Sequence, residues 1–354
     1  MKKSLCLIGL IICLVACTEK NVPDSSKGSF AKGADISWLT EQENDGIKFY
    51  NEYGEEKECI SLLRSLGMNS VRLRVWVSPQ DGWCSKDDVV AKAKRASAEG
   101  QRIMIDFHYS DFFADPSRQT IPEPWKGYSF EELKVAVAEH TKEVLEALKK
   151  ANVEPEWVQV GNETRNGMLW DEGRLWNDKG DIAGGWSRYA ALTTAGYNAV
   201  KEIFPDAIVI VHIDNAYEEN TWFFQKMRQN GGKFDMIGLS HYPMKKIWSG
   251  KDWAEMNQLA EANVKKLTSR FNCKVMISEV GTMSSNPSQA AEVMQDFVDR
   301  ITAIEACAGI FYWEPQAYGK WKPANYSTYG WGPYDMGAFS NDGKPNNALK
   351  ILFK

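Results

Sequence analysis

The chain has 354 residues, of which 44% are hydrophobic and 25% charged, and its formal net charge is −5. That length and balance exclude a disordered or fibrous chain and fit one large globular domain. A mildly acidic chain with no basic stripe also excludes nucleic acid as the expected partner.

At the N-terminus, Lys2 and Lys3 precede an apolar run from Leu5 to Val15 that is too short to span a bilayer and has the pattern of a signal peptide. The run closes in Leu14-Val15-Ala16-Cys17, which resembles a bacterial lipobox, so Cys17 is expected to be acylated and to hold the protein at a membrane surface. The expected division is residues 1–17 as lipoprotein signal, 18–29 as a polar flexible tether, and 30–354 as the folded domain. This reading makes the protein an exported lipoprotein of the outer membrane or cell surface, acting as a monomer. Of the seven cysteines, Cys59, Cys84, Cys273 and Cys307 lie beyond the signal, widely spaced and with no C-x-x-C pair, which argues against zinc. Cys59 shares a helical face with Leu62, Leu63 and Leu66 and is expected as a buried thiol.

Short apolar runs predict strands over Lys32–Ser37, Ser70–Trp76, Arg102–His108, Trp157–Asn162, Ile208–Ile213, Met236–Ser240, Lys274–Glu279 and Gly309–Trp313. Amphipathic stretches between them predict helices over Glu56–Leu66, Lys86–Glu99, Phe130–Lys150, Trp186–Ile203, Trp222–Asn230, Trp253–Phe271 and Ser288–Ile304. Gly67 and Gly100 stand where left-handed helix caps belong. Repeated β-then-α order implies a parallel sheet, and eight strands in a chain of this length favour an α/β fold closed as a (β/α)8 TIM barrel. An open dinucleotide-binding sheet gains no support, because no glycine-rich phosphate fingerprint follows the first strand. Segments after strands are long and segments before them short, which puts the chemistry at the C-terminal end of the barrel. Many of the 14 Trp fall in those loops, among them Trp83, Trp125, Trp170, Trp176, Trp248, Trp253, Trp321 and Trp331, and such faces stack on sugars.

On this scaffold the fourth strand ends at Glu163 and the seventh at Glu279, so two acids converge on one rim. Retaining glycoside hydrolysis needs such a pair, about 5 to 5.5 Å apart, although strand-end acids also bind metals or cap helices. Alternation on the second strand turns Arg72, Arg74 and Trp76 inward. An inward arginine beside Glu279 would keep it ionised as the nucleophile. Glu163, near a second negative charge, would hold its proton and act as the acid. Alternatively, Arg72 or Arg74 pairs with Asp35 or Asp106 to fill the interior. Asp106 and His108 also face inward, where a hydrogen bond to sugar or carboxylate outranks a metal that lacks a third ligand. His212 ends the fifth strand, His241-Tyr242 the sixth and Trp313 the eighth; either histidine could be structural.

The segments "GADIS" (33–37), "GMNSVRLRVWVSP" (67–79), "DFHYSDFFADP" (106–116), "VQVGNETRNGMLW" (158–170) and "DMIGLSHYP" (235–243) together resemble the endo-β-1,4-galactanases of glycoside hydrolase family 53. The resemblance implies Glu163 as acid/base, Glu279 as nucleophile and Asn162 as the ligand of the sugar hydroxyl beside the reacting carbon. It also implies that Arg72 holds the nucleophile and that His108, His212, Tyr242 and Trp313 line the cleavage subsite. The implied substrate is β-1,4-galactan in pectin side chains, with no cofactor required and calcium open in the loop after strand seven. At Phe113, at His241 and in "SEVGTMSSNP" (278–287) the chain departs from the family's pattern. The alternatives are a clan relative acting on β-mannan, xylan or glucan, and a non-catalytic glycan-binding lipoprotein.

Overall fold

A computed structural model describes residues 25–244 and 249–354. The signal, Cys17 and Trp248 lie outside the described residues. Eight parallel strands close into a barrel in sequential order: β1 (Ala31–Asp35), β2 (Ser70–Val75), β3 (Arg102–Phe107), β4 (Trp157–Val160), β5 (Ile208–Ile213), β6 (Met236–His241), β7 (Val275–Val280) and β8 (Cys307–Trp313). Outside them run α1 (Leu39–Asn44), α2 (Cys59–Ser65), α3 (Lys86–Ala98), α4 (Phe130–Lys150), α5 (Gly185–Ile203), α6 (Thr221–Gln229), α7 (Trp253–Phe271), α8 (Pro287–Thr302) and α9 (Asn347–Phe353).

The expected barrel is therefore present, and the differences are local. Glu56 and Lys57 do not open α2; they pair with Phe49 and Tyr50 in a two-residue hairpin. The helix starts only after Glu58, whose carboxylate accepts the Ser61 N–H at 2.7 Å and so caps it. Ser85, Ser129, Asp252 and Asn286 cap α3, α4, α7 and α8 in the same way, and Ser129 with Glu132 forms a full capping box. Two short helices escaped the periodicity reading, α1 and α9, because six or seven residues give too few turns to show a stripe. α9 still matters: its Leu349, Leu352 and Phe353 join the outer core. Gly67, at φ +116°, caps α2 where a Cβ would sit 2.0 Å from the Phe353 carbonyl oxygen, so the helix end and the chain's last turn meet with no side chain between them.

Alternation then divides each strand. Val71, Leu73 and Val75 of β2 face the helices with the equivalent residues of the other strands, each contributing roughly 1.5–3 kcal/mol for full burial of a large side chain. Inside, the lower barrel is apolar, filled by Met104, Trp157, Ile210, Met236, Met276 and Phe311. Arg102 closes the bottom over the Trp157 ring at 4.9 Å and donates to the Ser29 carbonyl at 3.0 Å, so the chain at Ser29 lies against the barrel. Above the apolar layer the interior becomes charged, which is where the C-terminal strand ends and the long loops are. Cys59, Cys84, Cys273 and Cys307 are all free thiols, and Cys59 is fully buried as expected.

Candidate active site

Glu163 follows β4 through a turn that ordinary residues avoid. Gly161 has φ +86°, with the Thr164 methyl 2.6 Å from where a Cβ would sit, and Glu163 itself has φ +47°. A left-handed non-glycine residue costs about 1–2 kcal/mol. The turn is held by Thr164, whose N–H donates to the His212 carbonyl at 2.9 Å, and by Gln119, which donates to the Asn162 carbonyl at 2.9 Å. Backbone strain of this kind collects at functional sites.

Glu279 reaches the same mouth by a bulge. Leu239 pairs with Ile277 and Ser240 with Glu279, so Ser278 is skipped, and on the other side Ile277 pairs with Ile310 but Val280 with Tyr312. Ile277 and Val280 both pack outward. Strict alternation from the inward Met276 would send Glu279 outward with Ile277; the extra residue re-aims it into the barrel.

Arg72 sits beneath the pair, fully buried. Its guanidinium contacts Asp35 Oδ2 at 2.7 Å, Asp106 Oδ2 at 2.8 Å and Glu279 Oε1 at 3.0 Å, and donates to Asn162 Oδ1 at 2.8 Å. Both sequence readings of this arginine hold at once. Arg74 pairs instead with Glu314 at 3.2 Å, a third strand-end acid following β8 that the sequence reading passed over although it repeats the Glu163 and Glu279 pattern. Phe113, Trp76, Trp38 and Trp313 surround the Arg74 guanidinium at 4.5 to 6.0 Å.

The two catalytic candidates differ in their neighbours. Burial lifts both carboxyls above the usual glutamate range. For Glu279, the Arg72 charge and the Tyr242 hydroxyl, donating to Oε2 at 2.7 Å, work against that lift. Glu163 is raised further, first by burial and then by the charges of Glu279 and Asp214, with a hydrogen bond from Ser240 opposing. One proton between them therefore belongs on Glu163, leaving Glu279 ionised. Burial works against the Asp106 carboxylate, but Arg72 and His108 hold it below its ordinary range.

A cavity of about 320 Å³ opens over both acids, lined also by Asn162, Tyr242, Trp313 and Trp331. That size falls among ligand pockets. A larger groove of about 600 Å³ runs along α4 between Tyr128 and Glu143 and contains neither acid. Trp313 and Tyr242 thus stand where expected. His108 lines the cavity, but both its nitrogens are engaged: Nδ1 accepts the Ala114 N–H at 2.9 Å and Nε2 donates to Asp106 at 3.0 Å. It can offer a sugar only its ring. His212 must be corrected: it is fully buried below the cavity, with Nδ1 2.9 Å from Asn162 Oδ1 and Nε2 2.9 Å from Ser240 Oγ. Burial, then the Arg72 charge, keeps it neutral. Arg72 likewise touches Glu279 from beneath and does not line the cavity. His241 lies outside the site, stacked on Phe297 at 4.4 Å and bonded to Asn257 at 2.8 Å. Asn162 lines the cavity and donates one amide hydrogen to the Ala114 carbonyl at 2.8 Å.

Of the loop tryptophans, Trp331 lines the cavity and Trp321 packs behind it on Trp38, whereas Trp125 is buried against α4 residue His140. Among the described residues, no group of three or more His, Cys, Asp or Glu is placed to hold a metal ion.

The glycosyl hydrolase family 53 model matches residues 31–352. An uncharacterised protein of Niallia circulans is 39% identical over 63% of this chain and 60% of its own length, so this chain spans less than two thirds of that relative. The endo-beta-1,4-galactanase of Bacillus subtilis (strain 168) is 30% identical over 81% of this chain and 70% of its own. A fungal beta-1,4-galactanase structure superposes with a TM-score of 0.76 at 26% identity, covering 90% of this chain and 98% of that one.

Proposed function

The chain belongs to glycosyl hydrolase family 53 and is a glycoside hydrolase; from that premise we propose that it is a retaining endo-β-1,4-galactanase acting on the galactan side chains of pectin. The observation that carries the mechanism is the asymmetry of the two acids, Glu279 held by Arg72 and Tyr242 while Glu163 is lifted by burial and by Glu279 itself.

In this reading Glu163 gives its proton to the glycosidic oxygen as a Glu279 oxygen attacks the anomeric carbon. The bond to the leaving chain breaks and a glycosyl ester forms on Glu279. Glu163, now a carboxylate, takes a proton from water as the water oxygen attacks the same carbon, and Glu279 departs as a carboxylate. Asn162 holds the neighbouring hydroxyl, and Trp313 and Trp331 offer apolar faces to a neutral sugar. The reaction as drawn uses no cofactor.

The substrate rests on the named relatives, since the paired acids serve many glycans. Purified protein assayed on linear galactan, mannan, xylan and cellulose tests it. Turnover of galactan supports the reading, and turnover of another glycan with none of galactan refutes it. Binding of galactan without hydrolysis would instead favour a glycan-binding protein. The proposal extends to the N-terminus: an acylated Cys17 would place the enzyme as a monomer at the cell surface. Radiolabelled palmitate incorporated by the wild type and lost in Cys17→Ser is the expected result, and equal labelling of both would refute the anchor.

A further inference from the structure

The groove along α4 is larger than the cavity over the acids, about 600 Å³ against about 320 Å³, and shares no residue with it. The end of β3 separates the two. His108 lines the cavity, whereas Tyr109, at φ +50°, packs with its ring centroid 6.5 Å from Trp125 and 6.3 Å from His140. Trp125 and His140 then form part of the groove wall with Val77, Tyr128, Val135 and Ala136. Of the five large apolar side chains exposed among the described residues, two, Tyr128 and Val135, belong to this groove.

Its polar groups are unevenly committed. Four glutamates border it, Glu131, Glu132, Glu139 and Glu143. Lys134 pairs with Glu131 at 2.7 Å, Lys86 pairs with Glu143, and Glu132 accepts from the Ser129 N–H and hydroxyl, both at 2.7 Å. Among the described residues, Glu139 alone of the four has no such partner. Four carboxylates against two lysines repel a polyanion, and a cation would find a single free carboxylate. A neutral ligand rich in hydroxyls needs only an acceptor and an apolar face.

His140 supplies the second observation. It is 8% exposed, and its Nε2 has no hydrogen-bond partner. Burial pushes the ring down to about 4, so it is neutral, with one nitrogen to donate and one to accept. A buried polar atom left unpaired costs about 1–3 kcal/mol. In the wall of an open groove, a ligand hydroxyl is the partner that removes this cost.

We propose that the groove along α4 is a second carbohydrate site, which holds a neutral β-galactan chain away from the catalytic cleft, one sugar face on Tyr128 and hydroxyls on Glu139 and His140. From Glu131 to Glu143 the helix runs about 18 Å, a length that suits a linear chain better than a single sugar. A polymer held there keeps its other segments at a high effective concentration near Glu163 and Glu279. This inference rests on the galactanase reading of the site.

The test compares steady-state kinetics on long linear galactan and on β-1,4-galactotetraose, a short substrate that gains nothing from tethering. Tyr128→Ala and Glu139→Gln should each raise KM on long galactan about two- to tenfold, the factor carried by one stacking or hydrogen-bond contact. The kcat on galactan and kcat/KM on galactotetraose should match the wild type. Tyr128→Trp, which keeps an aromatic face, should retain the wild-type KM. An unchanged KM on galactan in either Tyr128→Ala or Glu139→Gln would overturn the inference and leave the galactanase reading intact, as would an equal change on both substrates. Failure of the wild type to cleave either substrate would overturn both. Thermal unfolding of each variant separates a lost contact from a lost fold.

Discussion

The Tyr242 hydroxyl donates to Glu279 Oε2 at 2.7 Å while Arg72 holds Oε1 at 3.0 Å, so both oxygens of the carboxylate at the end of β7 are engaged. Tyr242→Phe removes one donor and little volume. A hydrogen bond to a charged group contributes about 1.5–3 kcal/mol, so kcat/KM should fall roughly 10- to 100-fold with the fold retained. The lost donor favoured the ionised form, so the Glu279 pKa rises. Because the nucleophile must be ionised, the acidic limb of the pH–rate profile should move to higher pH. A profile that keeps its acidic limb in place would contradict this.

Glu163 is lifted partly by the charge of Glu279. Replacing Glu279 with Gln removes that charge, so the Glu163 pKa should fall toward the ordinary glutamate range. Carbon-13 NMR titration of the labelled side chain measures it directly. A value that stays the same or rises would mean that the two carboxyls do not sense each other.

The same lift makes stability depend on pH. Glu163 stays protonated in the folded protein at pH values where the unfolded chain has already ionised it, so the folded state binds more protons. Stability therefore falls as pH rises from the ordinary glutamate value of 4.5 toward the raised value. Glu163→Gln should flatten that part of the curve, as followed by urea unfolding at a series of pH values. An unchanged slope would mean that the residue is not raised.

Arg72 neutralises part of a buried cluster of three carboxylates. Arg72→Met strands Asp35, Asp106 and Glu279 together and should cost about 3–5 kcal/mol, the range for breaking a buried pair from one side. Chemical denaturation reads the loss; a shift below about 1 kcal/mol would show that the cluster protonates or hydrates without the arginine.

Much of this was legible in the sequence because its signals were repetitive. Eight strand signals alternate with seven helix signals, and Arg72 and Arg74 alternate with Val71, Leu73 and Val75, so the barrel and the inward arginines followed from periodicity. Glu163 and Glu279 were found as acids at strand ends. The inward aim of Glu279 was not legible, since it depends on a bulge at Ser278 that breaks the alternation. The burial of His212 was hidden for a different reason: a strand-end position gives the direction of a side chain but not its depth, and Asn162 and Ser240 fill the level above it. The partnership of Arg74 with Glu314 joins residues 240 positions apart and has no local signature. The stacking of Phe112 on Tyr329 likewise joins two loops, after β3 and after β8, whose separate sequences carry no trace of each other.

The central claim is that the carboxylate of Glu279 attacks the sugar while Glu163 supplies the proton. An activated 2-fluoro galactoside slows hydrolysis of the glycosyl ester enough for the protein to be digested and the labelled peptide sequenced by mass spectrometry. A single sugar adduct on Glu279 is the predicted result; an adduct on another residue, or inversion at the anomeric carbon with no adduct, would contradict it.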